Sequence, residues 1–415
     1  MSESSGPASR ALVFEPDYLG HQPAYVRALA SWLGRNAVPM DVTFVVGRPL
    51  LERLRAEDGF ELERNGGVKV SVLSDEETAR CTQGGLVRRA IARWGVMCER
   101  LDVTGASHAH ILFLDPFQLP LALGRSPGPG RTLSGILFRP SIHAVGDGGD
   151  AQATERFRDA LKATLYGRML GNASLTRVLT LDPFFPQYAR GRFAHGDKVR
   201  ALPDPIIEDS TASGEIGADV VSAPAGGRTM FLMFGALTVR KGVLEILQAL
   251  IALPTAVRAR VQLVLAGRID PDCADEVEEL RRRLESIDPG SESLRVVDRF
   301  LSTAELKWLV ARSEVVLATY RRHVGSSGAL MWAAQHGKPV LAQDYGLVGA
   351  LVREYRLGEV VDSTNPAAIA AAVSHFTDAG ARRSLSANAD WSRFLAGRSA
   401  DEFAEQVMDA IREAA

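Results

Sequence analysis

Short apolar runs recur along the chain, separated by longer segments that have one apolar and one polar face. An apolar run without polar alternation is typical of a strand that is buried on both sides of a parallel sheet. Segments whose apolar residues return every three or four positions predict helices. The alternation of the two predicts an α/β fold, with a doubly wound parallel sheet in each half of the chain.

The predicted strands fall into two sets. The N-terminal set is 11–15, 42–46, 68–73, 111–114, 133–138 and 178–181, and the C-terminal set is 230–234, 261–266, 294–297, 315–319, 340–342 and 358–361. Between them, residues 210–228 are rich in Ser, Ala and Gly, which predicts a linker. We expect a disordered tail (1–9), an N-terminal Rossmann-like domain (10–205), a linker (206–228), a C-terminal Rossmann-like domain (229–390) and a final helix (391–415) that can pack back on the N-terminal domain.

The stretch from Val315 to Val340 combines a predicted strand, a polar loop, a run of small residues and a helix. The small residues directly before the helix are Gly325, Ser326, Ser327 and Gly328. A helix N-terminus presents free backbone N–H groups and the positive end of its dipole, so it can bind an anion. Serine is also a favoured helix cap, so a plain capped helix stays open as an alternative.

A second turn of the C-terminal half carries two cations. It follows the strand 230–234 and reads G-A-L-T-V-R-K-G from Gly235 to Gly242, with Arg240 and Lys241 at the start of the next helix. Gly235 permits a ligand to approach the backbone closely. The helix dipole disfavours cations at this end, so two of them indicate an anion such as a diphosphate.

Polar residues also follow two strands of the N-terminal half. Gly20 and His21 come after the first strand, and His143 comes after the fifth. Ligands of open parallel sheets bind at the carboxyl ends of the strands, so these residues are site candidates. A histidine there can act as an acid, a base or a hydrogen-bond donor to sugar or phosphate. The alternatives are a helix-entry turn at Gly20 and His21, and a histidine packed against a loop at His143.

The composition narrows the class of function. The 415 residues are 46% hydrophobic and 24% charged, as in a globular protein with a sizeable core. A net charge of −2 gives no sign of a nucleic-acid binder. The cysteines Cys81, Cys98 and Cys273 lack the spacing of a metal site or a disulfide framework, which fits a reducing cytoplasm. We find no signal-peptide pattern and no membrane-spanning run, so we expect a cytoplasmic protein.

One predicted helical segment, 78–101, has a basic face and is interrupted near Gly84 and Gly85. Its basic residues are Arg80, Arg88, Arg89, Arg93 and Arg100. A basic amphipathic helix can lie on an anionic membrane, which leaves peripheral contact with the inner face of the membrane as an option. A solvated helix face is the simpler interpretation.

The ordered motifs of the C-terminal half resemble the donor domain of GT-B glycosyltransferases, specifically family 4. The motifs are the turn 235–242, the strand exit L-V-L-A-G-R at 263–268, the strand and loop 315–328, and H-G-K-P-V at 336–340. The N-terminal half looks like the acceptor domain of that fold. The resemblance implies two Rossmann-like domains that face a central cleft. It also implies transfer from a nucleotide-diphosphate sugar to a glycan, lipid-linked or small-molecule acceptor, with retention and without a metal or cofactor.

The resemblance further implies roles for individual residues. His21, His143, Arg240 and Lys241 are the predicted catalytic residues. The predicted donor-binding residues are Gly20, Gly235, Arg240, Lys241, Gly267, Arg268, Arg299, Phe300, Tyr320, His323, Ser326, Ser327 and Gly328. Of these, Arg240 and Lys241 are expected on the diphosphate. Contact of Tyr320, Arg321, Arg322 and His323 with the sugar is a separate hypothesis, which the resemblance does not imply.

The chain departs from the family at one clear point. The family usually has two glutamates, for the donor sugar and the ribose, where this chain has Val324 and Trp332. Sugar and ribose recognition must therefore differ, or the activity is weak or lost. A transferase-like protein that binds a nucleotide, a glycan or a partner protein without turnover is the second hypothesis. A nucleotide-sugar epimerase is the third, although the sequence offers no evident acid/base carboxylate set for it.

Overall fold

The fold is described from a computed structural model that covers residues 9–65, 68–140, 153–206, 216–217, 220 and 227–414. Packing within the chain defines two units, residues 1–207 with 397–415 and residues 208–396. Most of the predicted tail and linker lies outside the described residues. None of the helices in the described ranges has the length and apolar composition that crossing a membrane requires.

Strands and helices alternate along the described chain, as the apolar pattern predicts. The strands are β1 (Ser9–Glu15), β2 (Met40–Gly47), β3 (Lys69–Leu73), β4 (His108–Ile111), β5 (Thr132–Leu137), β6 (Leu175–Thr180), β7 (Val199–Ala201), β8 (Thr229–Phe234), β9 (Val261–Ala266), β10 (Leu294–Val297), β11 (Val315–Ala318), β12 (Val340–Gln343) and β13 (Gly358–Val361). The helices are α1 (Gln22–Arg35), α2 (Arg48–Asp58), α3 (Asp75–Thr82), α4 (Leu86–Thr104), α5 (Gln118–Ala122), α6 (Ala153–Leu170), α7 (Phe185–Arg192), α8 (Val243–Ala252), α9 (Thr255–Arg258), α10 (Ala274–Ile287), α11 (Thr303–Arg312), α12 (Gly328–Gln335), α13 (Gly346–Tyr355), α14 (Pro366–Phe376), α15 (Ala379–Asn388), α16 (Trp391–Leu395) and α17 (Ala400–Arg412).

The first unit is built on a parallel sheet in the order β3-β2-β1-β4-β5-β6-β7. Successive residues of β1 enter opposite cores, Leu12 on one face of the sheet and Val13 on the other. Side chains alternate across a strand, so a strand covered on both faces is an unbroken apolar run. Phe403 and Met408 of α17 pack in the same core as Val13. The last helix therefore belongs to the first unit.

The second unit has a parallel sheet in the order β10-β9-β8-β11-β12-β13. Phe231 of β8, Leu263 of β9 and Leu341 of β12 are buried together with Ile246 of α8. The chain order reverses beside β8, because β9 lies on one side of it and β11 on the other. The carboxyl ends of strands beside such a switch point are where open sheets bind ligands.

Both sheets confirm the predicted fold class of two doubly wound, Rossmann-like domains. The interruption predicted near Gly84 is also present, since α3 ends at Thr82 and Gly84 has a φ of 92° between α3 and α4. Strand β7 was not predicted. It has only three residues, of which Arg200 and Ala201 are exposed, so it carries no apolar run.

Candidate functional site

The carboxyl ends of β8 and β9 meet backbone to backbone. The N–H of Gly235 donates to the carbonyl of Ala266 at 2.9 Å, and a Cβ placed on Gly267 would lie 2.1 Å from the carbonyl oxygen of Gly235. Both glycines have positive φ, 85° and 145°. No side chain fits at residue 267 without moving the other loop. The predicted site residues Gly235 and Gly267 therefore lie together.

Lys241 folds back over the end of β8. Its Nζ donates to the carbonyl of Phe234 and lies 5.8 Å from the centroid of the Phe234 ring. A Cβ on Gly235 would lie 2.8 Å from Nζ, so the glycine makes room for the ammonium group. Burial, and then the charge of Arg240, lower the pKa of Lys241 to about 8. A bound anion would raise this pKa again, because it favours the charged form.

The turn Val239–Lys241 is joined to the loop that follows β11. The N–H of Arg321 donates to the carbonyl of Arg240 at 2.8 Å. Gly242 has a φ of 78°, and a Cβ placed on it would lie 2.1 Å from the carbonyl oxygen of Thr319. These contacts bring together the two loops that the sequence assigns to an anion, 235–242 and 319–328.

Arg240 and His323 contact each other across this joint. Nη1 of Arg240 lies 3.2 Å from Nδ1 of His323, whose Nε2 lies 3.0 Å from the carbonyl oxygen of Ser326. The backbone of His323 is held by Gln343, a fully buried amide that accepts from its N–H and donates to its carbonyl oxygen. The Tyr320 ring packs edge-on against the imidazole, with centroids 5.3 Å apart. His323 is thus fixed beside an exposed arginine.

The small-residue loop ends in a capped helix. The Oγ of Ser327 accepts from the N–H of Ala329 at 3.2 Å and lies 2.6 Å from the hydroxyl of Tyr320. Ser327 is buried, so its hydroxyl serves the cap. Gly328 begins α12, and a Cβ placed on it would meet nothing within 4 Å. The cap is therefore present, and the space beside the Cα of Gly328 is open.

Aromatic residues stand near the position of the expected glutamates. The Trp332 ring packs edge-on against Phe234, at 6.4 Å between centroids, and stacks on His336 at 6.3 Å. Phe234 is the ring that Lys241 covers, so an aromatic wall lies under the ammonium group. Neither Trp332 nor Val324 supplies a carboxylate.

A pocket of about 630 Å³ opens at the ends of β9 and β10. Its lining includes Arg268, Arg299 and Phe300, whose side chains were predicted to border a nucleotide. Phe300 is 86% exposed and offers a free aromatic face. The guanidinium of Arg299 also pairs with both carboxylate oxygens of Glu305, at 2.6 and 3.1 Å. This pairing holds the pKa of Glu305 down to about 2.

The N-terminal candidates lie in the first unit. Gly20 has a φ of 77°, and His21 precedes the first residue of α1. The His21 ring is exposed and stacks on Tyr25 at 6.1 Å between centroids, and the Tyr25 hydroxyl donates to Asp204 at 2.6 Å. His143 lies outside the described residues.

One polar cluster of the first unit was only partly predicted. Glu15 ends β1 fully buried, and burial raises its pKa well above the ordinary value. It accepts from the N–H of Asp17 at 2.8 Å, and the carboxylate of Asp17 accepts from Arg93 at 2.8 Å. Arg93 is itself buried. Two features of the sequence could have indicated this cluster. They are an acidic residue at the end of an apolar strand and an arginine on the inner face of α4.

Two Rossmann-like units, each with a parallel sheet, are the architecture of the GT-B class of fold. Residues 228–379 match the family model described as Glycosyl transferases group 1. No curated protein sequence matches the chain significantly.

Solved structures with this fold extend over nearly the whole chain. Sucrose-phosphate synthase from Thermosynechococcus elongatus is 17% identical, with a TM-score of 0.65 over 98% of both chains. HepE from Anabaena, solved with UDP, is 12% identical, with a TM-score of 0.61 over 98% of this chain and all of its own. A proposed UDP-N-acetylglucosamine 2-epimerase from Listeria monocytogenes is 12% identical, with a TM-score of 0.60 over 98% and 96%. The fold is therefore shared with a sucrose-phosphate synthase and with a protein named as a proposed epimerase.

Proposed function

We propose that the protein is a divergent family 4 glycosyltransferase, which moves a sugar from a nucleotide-diphosphate sugar to an acceptor with retention. The observation that carries the proposal is the joint between two loops of the second unit. It puts Arg240 and Lys241 on a turn that backbone contacts tie to the loop leading into α12. The match of residues 228–379 to Glycosyl transferases group 1 supports the same assignment.

The chemistry needs these groups because the leaving diphosphate gains negative charge as its bond to the sugar breaks. Fixed cations and backbone N–H groups stabilise that charge, and a single preorganised donor contributes about 3 kcal/mol. The departing phosphate can itself take the proton of the acceptor hydroxyl, so retention needs no separate base. Among the described residues, no three His, Cys, Asp or Glu side chains are grouped to hold a metal ion. We propose that the cations take the role of a metal, and we expect turnover to persist in EDTA.

The test is a panel of UDP-, GDP-, ADP- and dTDP-sugars, with release of the nucleotide and transfer products followed by mass spectrometry. UDP-glucose comes first, because HepE is solved with it. The double variant R240A/K241A should lose at least tenfold in kcat/KM, since charge-assisted hydrogen bonds each contribute about 1.5–3 kcal/mol. Arg383→Ala, an exposed arginine of α15, is the matched control. Turnover equal in R240A/K241A and the wild type would remove the proposal.

The absence of carboxylates at Val324 and Trp332 favours a second candidate, a transferase-like protein that binds without turnover. It predicts that UDP or another nucleoside diphosphate raises the Tm while no sugar is released from any donor. An epimerase, the third candidate, would yield a changed nucleotide sugar without an acceptor. Product analysis in the same panel separates all three.

We also propose that the acceptor is met at the inner face of a membrane, where the protein docks peripherally. The first turns of α4 expose Leu86 (78%), Val87 (58%) and Ile91 (47%), with Arg88 exposed beside them. Apolar side chains flanked by cations suit an anionic lipid surface. The free thiols of all three cysteines suit a reducing cytoplasm. The protein should sediment with vesicles that contain phosphatidylserine and not with vesicles of neutral lipid alone, since an anionic surface attracts basic segments. Leu86→Ser with Ile91→Ser should release it, and unchanged sedimentation would refute the docking site.

A further inference from the structure

Two hydrogen bonds of the His323 ring define its protonation state. The carbonyl of Ser326 can only accept, so Nε2 of His323, 3.0 Å away, carries a hydrogen. Arg240 has only donors, so Nδ1 of His323, 3.2 Å from Nη1, must be the acceptor. An imidazole that donates from one nitrogen and accepts at the other is neutral. Protonation of Nδ1 and the hydrogen bond from Arg240 therefore exclude each other.

Of Arg240 and His323, Arg240 is the partner whose side chain can move away. The backbone of His323 is bonded on both sides to buried Gln343, and a Cβ on Gly346 would lie 2.5 Å from the carbonyl oxygen of His323. Arg240 is exposed, on the short turn before α8. An anion that attracts the guanidinium would draw it off Nδ1 while the imidazole stays in place.

The charges around the ring favour a proton once an anion arrives. Arg240 comes from the turn before α8 and Tyr320 from the end of β11, while Gln343 of β12 and Gly346 of α13 are uncharged. Arg322 is the neighbour of His323 in its own loop, and Arg321 of the same loop is compensated by Glu245 of α8, 3.1 Å from its Nε. Arg240 is thus the cation in contact with the ring. A cationic surrounding disfavours a second cation until a negative ligand compensates it.

We infer that His323 takes up a proton when a diphosphate binds, and becomes a further positive donor to it beside Arg240 and Lys241. The inference rests on the proposed function, because the ligand is the diphosphate of the donor. In this step, Nδ1 of His323 gains one proton from solvent and the hydrogen bond between Arg240 and His323 is lost. Both side chains then donate to phosphate oxygens. The charge of the site thus rises only when the leaving group is present.

The experiment measures proton uptake on binding by the full chain, with inorganic pyrophosphate and UDP as probes. Calorimetric titrations between about pH 6 and pH 8, in buffers of different ionisation enthalpy, give the protons taken up per ligand. His323→Gln is the informative variant, because its amide can donate to Ser326 and accept from Arg240 but cannot be charged. His375→Gln, at a histidine paired with Glu359 in the same unit, is the matched control.

The wild type and His375→Gln should take up more protons than His323→Gln. As the pH falls, the affinity of both proteins for pyrophosphate and UDP should rise relative to that of His323→Gln. The rise should be at most about tenfold for each pH unit, which is the limit for one linked proton. Equal uptake and equal pH dependence in all three proteins would overturn the inference and leave the transferase proposal standing. If the wild type binds neither pyrophosphate nor any nucleoside diphosphate, the proposed function fails together with it.

A second readout does not depend on how well a variant folds. In the NMR spectrum of the wild type, the imidazole signals of His323 should titrate at higher pH when pyrophosphate is bound. A titration that stays unchanged, or moves to lower pH, would contradict the inference.

Discussion

Single residues of the second unit combine features that suit binding and cost stability. Lys241 is the clearest case, because burial lowers its pKa to about 8. The folded state thus binds the proton less tightly than the unfolded chain. The cost is fully present below about pH 8 and is relieved as the pH rises toward the ordinary value of about 10.5. A group held at such a cost is typical of a functional site.

Replacing Lys241 by Met should separate binding from stability. The thioether side chain fills similar volume beside the Phe234 ring without a charge to desolvate. We expect a Tm equal to or slightly above that of the wild type at pH 7, and at least a tenfold loss of affinity for UDP. Differential scanning fluorimetry and calorimetry measure the two effects. A large fall in Tm with unchanged affinity would assign Lys241 a structural role instead.

Gly242 and Gly328, in the two loops that meet beside Arg240, differ in how much space a side chain would have. A matched pair of alanine variants tests this difference. Gly242→Ala puts a Cβ 2.1 Å from the carbonyl oxygen of Thr319 at a φ of 78°, whereas Gly328→Ala meets nothing within 4 Å. We expect Gly242→Ala to lower the free energy of unfolding by about 2 kcal/mol or more and to abolish nucleotide binding. Gly328→Ala should be within about 0.5 kcal/mol of the wild type. Urea unfolding gives both values, and equal losses would show that the joint is not tight.

At the scale of elements, the C-terminal end is tied to the first sheet by a directional hydrogen-bond chain. Thr132 donates to the carbonyl of Ala414 at 2.8 Å, so its Oγ must accept from Nδ1–H of His108. Nε2 of His108 then accepts from Ser134, which in turn accepts from Nδ1–H of His110. Each of these donor and acceptor assignments follows from the carbonyl of Ala414, which can only accept.

The series of hydrogen bonds through His108 and His110 predicts that the free energy of unfolding falls in acid. Burial lowers the pKa of His108 to about 4, and burial with the His108 charge lowers that of His110 to about 3. The unfolded chain binds these protons near the ordinary pKa of about 6.5, so stability is full above that pH and falls as the pH drops through it. Each histidine contributes a slope of about 1.4 kcal/mol per pH unit at most.

Urea unfolding at pH 7, 6 and 5 measures this slope. His110→Leu should be less stable at pH 7, because Ser134 loses its donor, yet should lose stability less steeply on acidification. His195→Gln, at an exposed histidine of the same unit, should keep the wild-type slope. An identical slope in His110→Leu would show that the ring is already solvated in the folded state.

At the scale of the whole molecule, the chain returns to its first unit after completing the second. Ser399 and Glu402 form a capping box that begins α17, and Phe403, Met408 and Ile411 then join the core of β1 and α1. Removal of residues 397–415 should therefore expose Tyr25 and Leu29 of α1. We expect hydrogen exchange to rise in β1, β2 and α1, with binding of a hydrophobic dye. Unchanged exchange there would show that α17 is dispensable for the core.

The pattern of the sequence determined the order and type of the main elements, because buried parallel strands must be apolar on both faces. It also indicated two loops that suit an anion, since cations are disfavoured at helix starts without one. The small residues before α12 have a second physical reason, because Ser327 caps that helix. It missed β7, which has no buried run, and it recognised Glu15 and Arg93 only as parts of larger segments. Periodicity reports burial, and it says nothing about which distant side chains pair.

Pairing was decided only by the tertiary structure. The sequence offered Arg299 as a residue that borders the nucleotide, and the fold also pairs its guanidinium with Glu305. It offered Arg240 and His323 as separate candidates, and the fold makes them hydrogen-bond partners. The contact between Arg240 and His323 depends on how two loops meet in space, and the order of residues along a chain does not specify that distance. The apolar periodicity of the sequence determined the two sheets. The contacts between loops at the carboxyl ends of the strands determined which candidate side chains lie together.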